Sequence, residues 1–164
     1  METPIQTPAT QTLDALGLPY RVVQHDHHPK SAPEAAALRG QKPEQVVRSL
    51  LFRLEDGSFV MVLIPGGYRA HWPTLRRYLG QRRITMATPE EVRDVTGYPV
   101  GTVCPLGLPT PIRILADERI FQQPELSMGA GVFKAAIILT PDVLQQALPQ
   151  LEISTFATPA PQRD

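Results

Sequence analysis

The sequence predicts a single α/β (α+β) domain built on a largely antiparallel sheet with helices packed around it. Three observations lead there. Capped helix starts interrupt β-branched, apolar runs at irregular spacing, which is not the pattern of a regular βαβ repeat. The tetrapeptide EDGS, residues 55–58, joins two such runs and reads as a hairpin, because Asp-Gly tolerates the positive φ of a tight turn. The chain has 164 residues, 42% of them hydrophobic, enough for one core without a disulfide or metal staple.

In chain order, a helix is predicted over Gln11 to Leu16, followed by a strand over Tyr20–Gln24. Ser31, Pro33 and Glu34 then form a helix start, a hydroxyl cap with an early proline and a glutamate three residues after the cap, and Gly40 closes that helix. Strands follow at Val46–Leu54 and Phe59–Ile64. Pro73 sits in the first turn of a helix over Trp72–Leu79, and a strand covers Arg83–Met86. Thr88, Pro89 and Glu91 repeat the helix-start pattern, with Gly97 as the stop. Strands over Ile112–Ala116 and Ala135–Leu139 and a helix opened by Thr140, Pro141 and Asp142 complete the set. Residues 1–12 and 151–164 read as loose terminal segments around a domain at 13–150.

Lys plus Arg and Asp plus Glu are each 16. A zero balance argues against a protein that coats nucleic acid by phosphate charge alone, but leaves room for a local patch that grasps one RNA end. The stretch Arg69 to Arg83 could supply it, or could be a solvated helix face. DNA and membranes are not expected partners. The N-terminal residues lack the basic and apolar regions of a signal peptide, and no apolar run approaches the roughly 20 residues that span a bilayer. One cysteine and no metal-ligand spacing fit a reducing, cytoplasmic setting.

Two stretches draw chemical attention. In VVRSLLFRL, residues 46–54, strand alternation puts Arg48 on one face with Leu50, Phe52 and Leu54. A guanidinium there must find a partner, open into a cleft, or snorkel to water. In GTVCP, Pro105 fixes its own φ and restricts Cys104, while Gly101 permits close approach to its backbone. The loop is either a plain turn or a stiff cradle of N–H donors. His25, Asp26, His27 and His28 resemble a metal cluster but are spaced too tightly to converge, so a solvated turn is the simpler reading. Cys104 as a nucleophile would need a base beside it.

In this order the motifs resemble the YbaK and prolyl-tRNA synthetase-associated editing domains. The matching pieces are YRVVQH, SAPEAAALRG, QVVRSLLFRLEDGSFVMVLIPGGYR, LRRYLGQRRITMATPEEVRDVTGYPVGTVCPLGL, IRILAD and LSMGAGVFKAAIILTPDVL. The resemblance covers about Leu13 to Leu148. It implies a mixed, mostly antiparallel, partly barrel-like sheet flanked by helices. It implies a free-standing factor that hydrolyses the ester of mischarged tRNA in trans, prolyl-tRNA carrying alanine or cysteine being the commonest substrate, with no metal or organic cofactor. The partner is the 3′ end of aminoacyl-tRNA; a synthetase is a further candidate, and monomer and homodimer both stay open.

Carried over, the resemblance makes Arg48 and Gly101 the catalytic positions. It makes Ser49, Thr102, Val103, Cys104, Pro105, Asp117 and Gly129 substrate-binding. Arg48 stands where the family has lysine. Arginine stays protonated and cannot act as a base, yet can hold phosphate or stabilise charge on an ester oxygen. The alternative is therefore a non-catalytic paralogue that binds a tRNA end, a nucleotide or a synthetase; a cysteine-dependent enzyme using Cys104 is a third reading.

Overall fold

The structure, a computed structural model, describes residues 5–161. All five expected helices form: α1 (Pro8–Leu16), α2 (Ala32–Arg39), α3 (Trp72–Leu79), α4 (Pro89–Thr96) and α5 (Pro141–Ala147). Their starts follow the chemistry predicted for them. Ser31, Thr88 and Thr140 each accept a backbone N–H of the first turn, which satisfies donors the helix itself cannot. α1 begins three residues before the predicted Gln11, because Thr7 caps it in a reciprocal capping box with Thr10.

The strands are β1 (Arg21–Gln24), β2 (Val47–Arg53), β3 (Phe59–Pro65), β4 (Tyr68–Ala70), β5 (Thr85–Met86), β6 (Arg113–Asp117), β7 (Leu126–Gly129), β8 (Ala135–Leu139), β9 (Glu152–Ser154) and β10 (Ala157–Pro159). A five-stranded sheet has the order β5-β2-β3-β6-β9, a three-stranded sheet β1-β8-β7, and a ribbon β10-β4. β3 with β6 and β6 with β9 are parallel; every other pair is antiparallel. The class is thus mixed and mostly antiparallel, as predicted.

Alternation along β2 and β3 sorts two cores onto the two faces of the larger sheet. Val47, Leu51, Met61 and Leu63 pack with the smaller sheet, α1 and α5. Phe52, Val60, Val62 and Ile64 pack with Leu75 of α3 and with Phe156, and Leu50 and Leu54 lie against this second core. The two sheets meet at one isolated parallel bridge, Val46 to Ser127. The ladder stops there, so the barrel is not closed, and a gap opens between β2 and β7.

The expectation of loose ends is corrected at both termini. Residues 1–4 and 162–164 lie outside the described set. Within it, α1 occupies part of the segment 1–12, with Ala9 and Thr10 fully buried. The segment from 151 onward carries β9 and β10, and Phe156 between them is fully buried. The Pro/Ala/Thr-rich composition hid a single aromatic anchor and a buried acceptor, Asp117, which takes the N–H groups of Phe156 and Ala157.

Candidate functional site

The gap between β2 and β7 is a hollow with a cavity volume of about 440 Å³. β2 contributes Arg48 and Ser49, the loop after α4 contributes Gly101 and Val103, and β7 contributes Gly129. The turn before α2 adds His28 and Lys30, and the last turn of α2 adds Arg39. Five of the nine predicted site residues therefore converge. The lining includes Lys30, Arg39 and Arg48 and not one carboxylate, so the field in the hollow favours an anion.

Arg48 is half-buried, and burial lowers its pKa. Its guanidinium donates to the Tyr68 carbonyl, while its Nε is buried with no protein partner. Ser49 points to the opposite face of the sheet, and its Oγ is likewise buried and unpartnered. Buried polar atoms left in this state are costly unless a ligand or water completes them.

Sequence reasoning missed Arg39. Its Nη1 donates to Ser127 Oγ at 2.9 Å and its Nε to His25 Nε2 at 3.3 Å. Burial brings its pKa down to about 10. The signal was legible in the helix spacing. Ala35 and Ala36 are the buried residues of α2, and position 39 lies four and three residues later on the same face. Burial and the neighbouring Arg39 charge lower the pKa of His25, which suits its role as an acceptor.

The histidines diverge. His25 meets Arg39, and His27 pairs with Glu34 at 3.0 Å. His28 Nδ1 accepts the Lys134 N–H at 3.1 Å. That bond assigns the neutral tautomer of His28, with the proton on Nε2, the atom that lies beside Gly101. His28 therefore offers a donor at the loop.

The loop itself is fixed by buried bonds. Tyr98, almost fully buried, donates its hydroxyl to the Leu106 carbonyl at 2.7 Å. The Thr102 N–H and hydroxyl both donate to the Pro99 carbonyl, and the Thr102 carbonyl accepts from Gly131. Among the described residues, the N–H groups of Gly101 and Val103 have no protein acceptor. Gly101 has φ of 94°, a conformation few side chains tolerate.

Gly129 holds the loop in place by lacking a side chain. A Cβ there would stand 2.4 Å from the Val103 carbonyl oxygen and 2.6 Å from that of Thr102. Both contacts are backbone and cannot swing aside. Gly129→Ala is expected to destabilise the fold by about 1–3 kcal/mol and to displace the 101–103 segment. Urea denaturation would measure the first effect, and amide exchange at Gly131, whose N–H depends on the Thr102 carbonyl, the second.

Four predicted site residues do not line the hollow. Thr102 and Cys104 are buried in the core. Pro105 lines a separate apolar cleft with Leu108, Leu148 and Leu151. Asp117 is fully buried and binds the C-terminal strands. For Thr102 and Cys104 the sequence neighbours Gly101 and Val103 reach the hollow, while their own side chains turn inward. Burial pushes the Cys104 thiol up to about 12, so at neutral pH it is protonated and shielded, the opposite of an activated nucleophile. A maleimide should label Cys104 in denaturant within minutes yet leave the native protein untouched over the same interval; rapid native labelling would contradict this placement.

Comparison with known proteins follows the same lines. Residues 27–147 match the family model described as the aminoacyl-tRNA editing domain. The proline–tRNA ligase of Thermosipho melanesiensis is 34% identical over 109 residues, 66% of this chain and 19% of the relative. That of Kosmotoga olearia is 39% identical over 88 residues, 54% of this chain and 15% of the relative. The chain thus spans about a fifth or less of the length of these curated relatives. A solved structure of "a putative trans-editing enzyme for prolyl tRNA synthetase" superposes with a TM-score of 0.82 at 30% identity, covering 94% of this chain and 99% of its own.

Proposed function

We infer that this chain, which belongs to the aminoacyl-tRNA editing domain family, is a deacylase that acts in trans on mischarged tRNA. The observation that carries the reading is the convergence of Arg48 and the Gly101 loop on one hollow lined by cations and free of carboxylates. The terminal adenosine with its ester enters the hollow. Water adds to the ester carbonyl carbon, the bond to the ribose oxygen breaks, and the water's second proton ends on that ribose oxygen. The free N–H groups of Gly101 and Val103, with His28 Nε2–H, are the donors available to the oxygen that becomes negative. One such donor is worth about 3 kcal/mol of barrier. Arg48 and Arg39 hold anionic groups of the RNA end. With no carboxylate in the lining, the proton acceptor is supplied by the substrate, through its own hydroxyl or amine.

The substrate we favour is tRNA for proline carrying alanine or cysteine. Support comes from the proline–tRNA ligase relatives and from Ser49, whose unpartnered Oγ suits an α-ammonium or a side-chain thiol. One methylene of size difference is worth only about 1–3 kcal/mol in a synthetase pocket, which is why such errors arise. One observation favours the non-catalytic alternative. The Arg48 guanidinium, a permanent cation, is already engaged by Tyr68.

A deacylation panel decides between them. The protein is incubated with proline tRNA charged with alanine, cysteine, serine or proline, and released amino acid is measured. Release of alanine or cysteine with sparing of proline is expected. Tight tRNA binding without release on any substrate would establish the binding module instead.

A further inference from the structure

A second chamber adjoins the hollow and takes no part in the reaction as described. Its cavity volume is about 460 Å³, within the range of nucleotide-sized sites. Arg48, Leu50 and Met86 line both spaces, so the chambers are contiguous across the exposed edge of β2. β5 covers that edge only at Phe52 and Arg53.

The chemistry of the second chamber differs from that of the hollow. It is lined by Trp72, His71, Arg69 and Arg48, with Phe52 at its base. Trp72 is half-buried and stands edge-on to Phe52, ring centroids 5.2 Å apart. His71 is oriented by Thr74 through Nδ1 at 2.7 Å. Arg69 is exposed, and among the described residues neither it nor Arg48 has a carboxylate partner. In a chain with equal acids and bases, the two chambers together gather Lys30, Arg39, Arg48 and Arg69 and no acid. A flat aromatic surface flanked by unpaired arginines is how single-stranded nucleic acid is held: bases stack and phosphates pair.

We propose that this chamber binds the penultimate nucleotide of the substrate RNA, its base on Trp72 and the phosphate joining it to the terminal nucleotide between Arg48 and Arg69. Arg48 then sits at the junction of the two nucleotides, which accounts for its lining both spaces. The stretch Arg69–Arg83, read from sequence as either a basic patch or a solvated helix face, contributes its first residues to the RNA and its middle to α3. The inference rests on the hollow being the site of the terminal aminoacyl-adenosine.

Trp72 is the chain's one tryptophan, so its fluorescence reports this chamber alone. The full chain is titrated with the trinucleotide CCA and, separately, with adenosine monophosphate, while binding of labelled CCA is followed by polarisation. CCA is expected to shift or quench Trp72 emission saturably, and adenosine monophosphate to leave it unchanged. Trp72→Leu should weaken CCA binding at least ~5-fold. Arg69→Gln, at an exposed site, should lower the slope of log K against log salt by about 0.7. Emission that responds equally to the mononucleotide, CCA binding without any change in Trp72, no CCA binding at all, or a salt slope untouched by Arg69→Gln would each overturn the proposal. If CCA perturbs Trp72 but no charged tRNA is hydrolysed, the chamber stands and the deacylase reading falls; hydrolysis without a Trp72 response gives the reverse.

Discussion

Asp117→Ala is expected to lower the unfolding free energy by about 3–5 kcal/mol, the cost of leaving buried backbone donors without their acceptor at about 1–3 kcal/mol each. The Asp117 carboxylate is fully buried. Its Oδ2 accepts the N–H groups of Phe156 at 2.9 Å and Ala157 at 2.8 Å, and its Oδ1 the N–H of Arg119 at 3.0 Å. The Arg119 guanidinium completes the set at 3.2 Å. Alanine would strand three backbone donors and one charge. The damage should spread through Phe156, which packs against Phe52 and Leu75 on the second core, so β9 and β10 should lose protection together. Asp117→Asn retains one acceptor oxygen and loses the charge, and its cost should fall between wild type and alanine. Urea denaturation of the three proteins tests the order. An Asp117→Asn protein of unchanged stability that no longer hydrolysed substrate would return this residue to the site, where the family resemblance had put it.

Asp117 also shows what was legible in the sequence. Helix starts were readable because capping is local: Ser31, Thr88 and Thr140 satisfy donors within their own first turns. The β2–β3 hairpin was readable for the same reason. β4, β7, β9 and β10 are not predicted, because each is only three or four residues long, and β4, β9 and β10 also depend on distant partners. β10 pairs with β4 across almost ninety positions of sequence, and no local pattern encodes that. The site divided along the same line. Arg48, Ser49, Gly101, Val103 and Gly129, expected at one site, line one hollow, which lies where the Val46–Ser127 ladder ends after one bridge. Cys104, Thr102 and Pro105 were grouped with them by adjacency, which says nothing about which way a side chain turns in an irregular loop. Arg39 is legible only from the buried face of α2, marked by Ala35 and Ala36, and not from the caps that define the helix ends.

The largest functional effect is expected at Arg48. Arg48→Ala removes the cation shared by both chambers and leaves the Tyr68 carbonyl without its donor. Loss of one positioned donor or charge at a developing oxyanion lowers the rate about 10²–10³-fold, and a comparable fall in kcat/KM is expected here. How the loss divides is informative. If Arg48 chiefly holds phosphate, KM rises and kcat is largely kept; if it stabilises the transition state, kcat falls with it. Arg48→Lys makes a sharper test, because it restores the residue of the family pattern. A lysine is a point charge without the planar fork, so it cannot engage the Tyr68 carbonyl and an RNA phosphate in the same way. Burial already lowers the pKa of the arginine, and the same environment would disfavour the charged form of a lysine more effectively. The variant should therefore lose rate as pH rises and the ammonium gives up its proton, whereas the wild-type guanidinium, charged throughout the working range, should contribute no such falling limb. An Arg48→Lys rate that does not fall with pH, together with an Arg48→Ala protein of wild-type kcat, would mean that no positive charge is needed at position 48, and the catalytic role given to it would fall.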